Sequence, residues 1–128
     1  MNITFVLLLM FFAHIVDDFY LQGILANMKQ KSWWEKHPDY NKKYENDFVM
    51  AMFIHAFSWT FMIMLPIAMY LNFNIDISFV RLLLWNLMLH AVIDNFKANC
   101  KTINLVCDQC SHIGQILLTY YIFIFYMT

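Results

Sequence analysis

Four long apolar segments constrain the fold of this chain more than any other feature. They run from about residue 3 to 25, 48 to 71, 78 to 96 and 105 to 127. An α-helix needs roughly 20 apolar residues to cross a bilayer. The chain is 62% hydrophobic and 13% charged, whereas soluble domains are about 25% charged. The sequence therefore predicts one all-α domain over residues 1–128, an integral membrane four-helix bundle with up-down topology.

Lysines are concentrated in two of the three connections between these segments. The polar connection at about 29–47 contains Lys29, Lys31, Lys36, Lys42 and Lys43, and the last connection contains Lys97 and Lys101. Basic residues accumulate on the cytoplasmic side of membrane proteins. We therefore expect a multi-pass protein of the cytoplasmic (inner) membrane, with the 29–47 connection in the cytoplasm and both termini outside. The aromatic residues Trp33, Trp34 and Tyr40 suit the membrane–water interface.

Ionisable residues inside the apolar segments form a repeated pattern. Three segments carry a histidine and an aspartate four residues apart, which places both side chains on one helix face. With up-down topology these pairs and His55 all fall in the cytoplasmic half of the bundle. Imidazole nitrogens and carboxylate oxygens suit a divalent metal, with zinc favoured and manganese or iron compatible. The predicted metal ligands are His14, Asp18, His55, His90, Asp94, Asp108 and His112.

Three further polar residues lie next to the predicted ligands. Gln22 follows Asp18 by one turn, Gln109 neighbours Asp108, and Lys97 follows Asp94 by three residues. The glutamines are predicted to support ligand carboxylates, or else to be polar helix ends in water. Lys97 is either a binder of anionic groups or a cytoplasmic anchor.

The "CDQC" stretch at Cys107 and Cys110 has the spacing of a thiolate metal site. Structural zinc normally requires four ligands, and Cys100 is the only further cysteine in the chain. We therefore interpret these residues as free, buried cysteines.

The metal prediction suggests an enzyme, although other functions remain open. A metal with an open coordination position can activate water for hydrolysis of an ester or phosphoester. We expect a hydrolase that takes a lipid or phosphoester from the cytoplasmic leaflet, with Asp18, Asp94 and Asp108 as candidate catalytic residues. One alternative is that the pairs only fix helix register. Others are an ion or proton pathway in a homo-oligomer, or a phage-encoded effector that forms a pore or inhibits a host membrane or defence protein. The net charge of −1 and the lack of a basic patch argue against nucleic-acid binding.

Three motifs in the chain resemble those of a known family. "HIVDDFYLQ" is similar to an H-x-x-x-D-F-x-L-Q signature, "HAVIDNFK" to H-x-x-x-D-x-x-K, and "DQCSH" to D-Q-x-x-H. They occur, in this order, in small bacterial and phage membrane proteins classed as domain of unknown function 3307, which also have a histidine where His55 lies. The resemblance covers nearly the whole chain, and Asp18, rather than Asp17, occupies the carboxylate position of the first motif. It implies a four-helix membrane fold and no established activity.

Overall fold

The computed structural model describes residues 2–39 and 42–128, and these ranges contain helices and no strand. The α-helices are α1 Ile3–Val16, α2 Leu25–Met28, α3 Lys31–Glu35, α4 Asp47–Tyr70, α5 Ile77–Ala98 and α6 Leu105–Met127. A π-helical turn, Asp17–Leu21, continues α1, and a short 3-10 helix, Lys42–Tyr44, precedes α4. The predicted interfacial residue Tyr40 lies outside the described residues.

Four helical stretches are long and apolar enough to cross a membrane: Ile3–Leu21, Lys42–Tyr70, Ile77–Ala98 and Leu105–Met127. The four long apolar helices that the sequence predicts are therefore confirmed. Side-chain caps mark where three of them begin: Asn2 accepts a hydrogen bond from the Thr4 amide before α1. Asp76 accepts a hydrogen bond from the Phe79 amide before α5, and Asn104 accepts one from the Cys107 amide before α6, both at 2.9 Å. Such caps satisfy amides that have no partner within the helix.

The first predicted helix ends earlier than expected. The prediction of one helix to residue 25 is wrong, because α1 gives way at Asp17 to the π-helical turn, which ends at Leu21. Gly23 then adopts a left-handed backbone conformation, with φ of +51°. This conformation is accessible to glycine at little cost and breaks a right-handed helix. The chain therefore leaves the bundle about one turn sooner and begins the polar connection there.

One end of the four-helix assembly is an apolar core. Trp59, Ile63 and Ile67 of α4 are fully buried in it. The other long helices contribute Val6, Met10, Phe79, Leu82, Ile116 and Phe123. The hydroxyl of Tyr120 on α6 donates to the carbonyl of Ile3 at 3.1 Å, so the end of α6 lies beside the start of α1. The apolar core occupies this end of the helices, and the predicted ligands lie towards the other.

A buried polar network joins α5 to α6 between these two regions. The Gln115 amide donates to the carbonyl and the side-chain oxygen of Asn86, at 2.8 and 2.9 Å. The Thr119 hydroxyl donates to the same side-chain oxygen at 2.8 Å. Because Asn86 in turn donates to the Leu82 carbonyl, its polar atoms are satisfied. Interhelical hydrogen bonds of this kind hold transmembrane helices in register.

The polar connection is attached to the end of α5. The Asn99 side chain donates to the Lys29 carbonyl at 3.1 Å and accepts from the Lys31 amide at 2.8 Å. The Trp34 indole also donates to the Met28 carbonyl at 2.7 Å. These bonds hold the beginning of the connection against the bundle, and they place Lys29 over the buried aspartates.

Candidate metal centre

The Asp94 carboxylate lies at the centre of the buried polar groups. Its Oδ1 is 3.2 Å from Nε2 of His112 and 3.7 Å from Nε2 of His90, and its Oδ2 is 3.1 Å from Nε2 of His55. The Lys29 ammonium also donates to Oδ2. Three imidazoles, one each from α4, α5 and α6, thus direct the same ring nitrogen at one carboxylate that is only 3% exposed.

Two triads of potential metal ligands occur here and share His90. One consists of His90, Asp94 and His112, and the other of Asp18, His55 and His90. Within each triad the ligand atoms lie within 4.8 Å of one another. The Nε2 atoms of His55 and His90 are 3.2 Å apart. We call the residues of these two triads, together with Asp108, the His/Asp cluster.

Three polar atoms of Asp108 and His112 form no hydrogen bond in the described part of the chain. They are Asp108 Oδ1 and both ring nitrogens of His112; all three are buried, and Asp108 Oδ1 lies 3.4 Å from His112 Nε2. A buried polar group without a hydrogen bond destabilises the fold by about 1–3 kcal/mol. Asp108 Oδ1 and His112 Nε2 are adjacent, and Nε2 also lies 3.2 Å from Asp94 Oδ1, so a single ligand or ion between Asp108 and His112 would satisfy these two atoms.

His14 differs from the other predicted ligands because its two ring nitrogens have protein partners. The Trp59 indole donates to Nδ1 at 2.8 Å. An indole N–H can only donate, so Nδ1 accepts and the ring proton of a neutral His14 is on Nε2. Nε2 then donates to Oε1 of Gln109 at 3.1 Å. His14 belongs to neither triad, although its Nδ1 lies 3.7 Å from Asp18.

Gln109 links this chain of hydrogen bonds to two carboxylates. Since its Oε1 accepts from His14, its amide nitrogen is left to donate to Asp18 and Asp108, each at 3.1 Å. The direction of every bond from Trp59 to these carboxylates is therefore determined. Gln22 contacts Asp18 more weakly, at 3.4 Å. Both predicted supporting glutamines thus lie on a cluster carboxylate.

Sequence reasoning missed Asp17. It is 1% exposed, accepts a hydrogen bond from the Ser58 hydroxyl at 2.5 Å and lies 3.9 Å from Nδ1 of His55. Asp17 and Asp18 both lie in the π-helical turn, and the side chains of both are largely buried. Such turns occur frequently at functional sites.

Sequence reasoning also missed the role of Lys29, which it treated as a residue of the cytoplasmic connection. The Lys29 side chain is 11% exposed and pairs with Asp94, while Lys97 is 39% exposed and donates to Asp108 at 2.6 Å. Each lysine supplies the positive charge that a buried carboxylate needs. No signal along the sequence identifies the Lys29 contact, because it joins residues 65 positions apart.

Cys107 and Cys110 are free, as expected, but they are exposed rather than buried. They flank Asp108 on α6, and Asp108 points into the bundle. The prediction of burial is wrong because the inward face of this helix turn is occupied by the acidic residue.

A comparison with protein families identifies the family to which the chain belongs. Residues 6–128 match the model of a family described as "Protein of unknown function (DUF3307)". The chain belongs to this family. The match extends over all four long helices and all the predicted ligands. Neither the curated proteins nor the solved structures gave a significant match to the chain.

Proposed function

We propose that the His/Asp cluster binds a divalent metal, zinc in the first instance, and that the protein is a metal-dependent hydrolase acting on a lipid or phosphoester. The convergence of His90, Asp94 and His112 supports this most strongly. Two ligand atoms bound to one zinc at about 2.0–2.2 Å are about 3–3.5 Å apart. The separations of Asp94 Oδ1 from the two histidine nitrogens, 3.2 and 3.7 Å, lie close to this range.

The alternative of a purely structural cluster accounts less well for the unpartnered atoms. If hydrogen bonds only fixed helix register, the buried acceptors should meet donors, as Asn86 Oδ1 does. Gln115 Oε1 beside it lacks a donor, but five of the eight buried atoms without a hydrogen bond in the described residues belong to the His/Asp cluster, among them Asp108 Oδ1 and His112 Nε2. A metal ion would satisfy both atoms and offset the cost of burying several carboxylates together. We therefore assign His90, Asp94, Asp108 and His112 as ligands of this ion. His55 and Asp18 are further candidate ligands.

The chain's residues suggest a division of roles around the ion. A bound divalent metal would supply an activated water molecule and polarise the scissile ester. Asp94 and Asp108 each contact a lysine and face the histidine nitrogens, which suits ligands. Asp18 has no lysine partner among the described residues and is held by Gln109, so we assign proton transfer to it when one ion occupies the other four ligands. His14 and Gln109 would orient the carboxylates rather than bind the metal.

The location of the cluster suggests how a substrate reaches it. Asp94 lies four residues before the end of α5, or about 6 Å along the helix axis. The Tyr120–Ile3 contact supports the proposed up-down topology, and the lysine-rich connections support a cytoplasmic location for the cluster end. Both termini would then lie outside the cytoplasmic membrane, and a substrate would enter from the inner leaflet.

The apolar core argues against a pore or a proton pathway through one chain. Beyond Thr119 the interior is occupied by Ile63, Phe123 and Val6, all fully buried. An ion pathway needs polar side chains or water across the whole membrane. A site open towards one leaflet is therefore the better-supported function. A pH gradient across liposomes containing the protein is expected to persist, and rapid dissipation would favour the pathway instead.

Metal analysis of the purified protein tests the proposal. After detergent extraction and dialysis against zinc, we expect about one metal ion per chain by mass spectrometry. His90→Ala should abolish this binding, whereas His37→Ala should not, because His37 is exposed and contacts Trp33 outside the cluster. Equal metal contents for wild type and His90→Ala would refute a metal site here.

A further inference from the structure

A cavity of about 380 Å³ opens directly over the His/Asp cluster. Its lining includes Asp94 and Gln22, together with three lysines: Lys29 of the polar connection, Lys97 in the last turn of α5, and Lys101 after that helix. We call it the lysine cavity. Asp94 therefore faces the metal-binding atoms and also borders the lysine cavity, so a molecule in the cavity would be next to the proposed metal.

Lys29 of this cavity is not an ordinary membrane anchor. An anchor extends into the headgroups with its ammonium in water, but Lys29 is largely buried and bonded to Asp94. Each ammonium has three donors, and Lys29 and Lys97 each use one on a cluster carboxylate. Lys101 has no ion-pair partner among the described residues, and its backbone adopts a left-handed conformation, with φ of 56°.

The formal charges around the cavity point to a ligand that binds after the metal. Three lysines line the cavity, and the largely buried carboxylates beside or beneath it are those of Asp17, Asp18, Asp94 and Asp108, with the histidines counted as neutral. Without a metal the carboxylates exceed the ammonium groups by one charge, which disfavours an anion. A single divalent ion reverses the sign. The remaining donors of the lysines and the Gln22 amide then surround a space beside the metal that suits an anion with several acceptor oxygens.

We propose that the lysine cavity binds the phosphate group of a phosphate monoester, and that metal binding at the His/Asp cluster strengthens this binding. The proposal rests on the proposed metal function and specifies its substrate class. Lys29 and Lys97 are held in place by the carboxylates, and Lys101 supplies the unpaired charge. By linkage, phosphate should strengthen metal binding by the same factor.

Titration with inorganic phosphate tests the proposal on the full chain in detergent. The protein is loaded with one equivalent of zinc and desalted, and binding is followed by calorimetry. Lys101→Met should weaken phosphate binding about tenfold, as expected for loss of one charge-assisted contact. Lys36→Met is the matched control, because Lys36 is exposed and lies outside the lysine cavity. Absence of saturable binding, or equal affinities for the two variants, would overturn the proposal.

Two additional measurements distinguish a failure of the lysine cavity from a failure of the metal site. Lys97→Met should weaken phosphate binding while Lys97→Arg restores it, and equal binding by both variants would count against the cavity. Zinc content is measured for every sample. If no zinc binds, the proposed metal function fails; saturable phosphate binding that Lys101→Met weakens would then still support the cavity, and absence of that binding would overturn the cavity as well. If the protein binds zinc but its phosphate affinity is the same with and without zinc, the coupling is overturned.

The source of the phosphate is decided in lipid nanodiscs. Phosphatidic acid added to phosphatidylcholine nanodiscs should compete with inorganic phosphate if a lipid phosphate occupies the cavity. Retained phosphate affinity in those nanodiscs would identify a soluble monoester as the ligand. Competition by phosphatidylcholine alone would contradict a monoester site, because its phosphate is a diester with one negative charge.

Discussion

Replacement of Trp59 by phenylalanine tests the directed hydrogen bonds that we infer from Trp59 through His14 to Gln109. The substitution removes the indole N–H that donates to His14 at 2.8 Å. It keeps an aromatic ring near His90, on which the indole stacks with ring centroids 4.1 Å apart. His14 Nδ1 then has no donor, so its ring proton is no longer confined to Nε2. The Gln109 amide consequently loses the interaction that fixes its orientation.

The expected loss in the free energy of unfolding has two parts. A hydrogen bond inside a membrane protein contributes about 0.6 kcal/mol on average and up to about 1.7, and the volume vacated at a fully buried position adds about 1–2 kcal/mol. The free energy of unfolding should therefore fall by about 2–3 kcal/mol. Zinc affinity should fall by about 10-fold to 100-fold, as is usual when a residue that orients a metal ligand is lost.

Stability is measured by SDS titration with far-UV circular dichroism, and zinc affinity by competition with a chelating dye. Trp85→Phe is the control, because this tryptophan is 39% exposed on α5 and its change should cost less than about 0.5 kcal/mol. In a double-mutant cycle, Trp59→Phe should have little further effect on zinc affinity once Gln109→Leu has been introduced. Additive losses in zinc affinity would refute the inferred chain of hydrogen bonds.

Three other perturbations have defined outcomes. Asp94→Asn should abolish zinc binding and lower the free energy of unfolding by about 3–5 kcal/mol, because Lys29 is left buried without its counter-charge; adding Lys29→Met should restore part of the stability in SDS titration but no zinc. Gln115→Leu should destabilise the protein by about 1 kcal/mol through loss of its bonds to Asn86, with zinc content by mass spectrometry unchanged. Zinc should dissociate as the pH falls below about 6, since protons compete for imidazole nitrogens, and chelating-dye titrations that show constant affinity from pH 7.5 to 5 would contradict histidine ligation.

The helices and much of the cluster could be predicted from sequence because they depend on local spacing. Apolar length alone predicts the four long helices, and a spacing of four residues places His90 with Asp94 and Asp108 with His112 on common faces. The structure brings these two pairs together at Asp94. The two pairs converge because a short connection brings the end of α5 next to the start of α6.

The features that sequence reasoning missed depend on contacts between distant residues or on irregular backbone. Lys29 reaches Asp94 only because Asn99 holds the polar connection against α5. Asp17 contacts His55 of the cluster from a π-helical turn, and the sequence pattern does not predict that turn. Trp59 lies in an apolar helix, and no sequence feature distinguishes it from the other aromatic residues there. Its role depends on the hydrogen bond to His14, which forms only in the folded protein. No periodicity in the sequence carries this information.

The distribution of the cluster over the chain also has a consequence for biogenesis. Asp17 and Asp18 are synthesised first, yet their partners Ser58, His55 and Gln109 belong to helices that emerge later from the ribosome. Until α6 enters the bilayer, the Asp18 carboxylate lacks the amide donor that Gln109 supplies, and carboxylates without partners are costly in lipid. A chain interrupted before Gln109 would leave this carboxylate without that donor. We therefore expect the acidic end of α1 to be fully stabilised only when the last helix is in place.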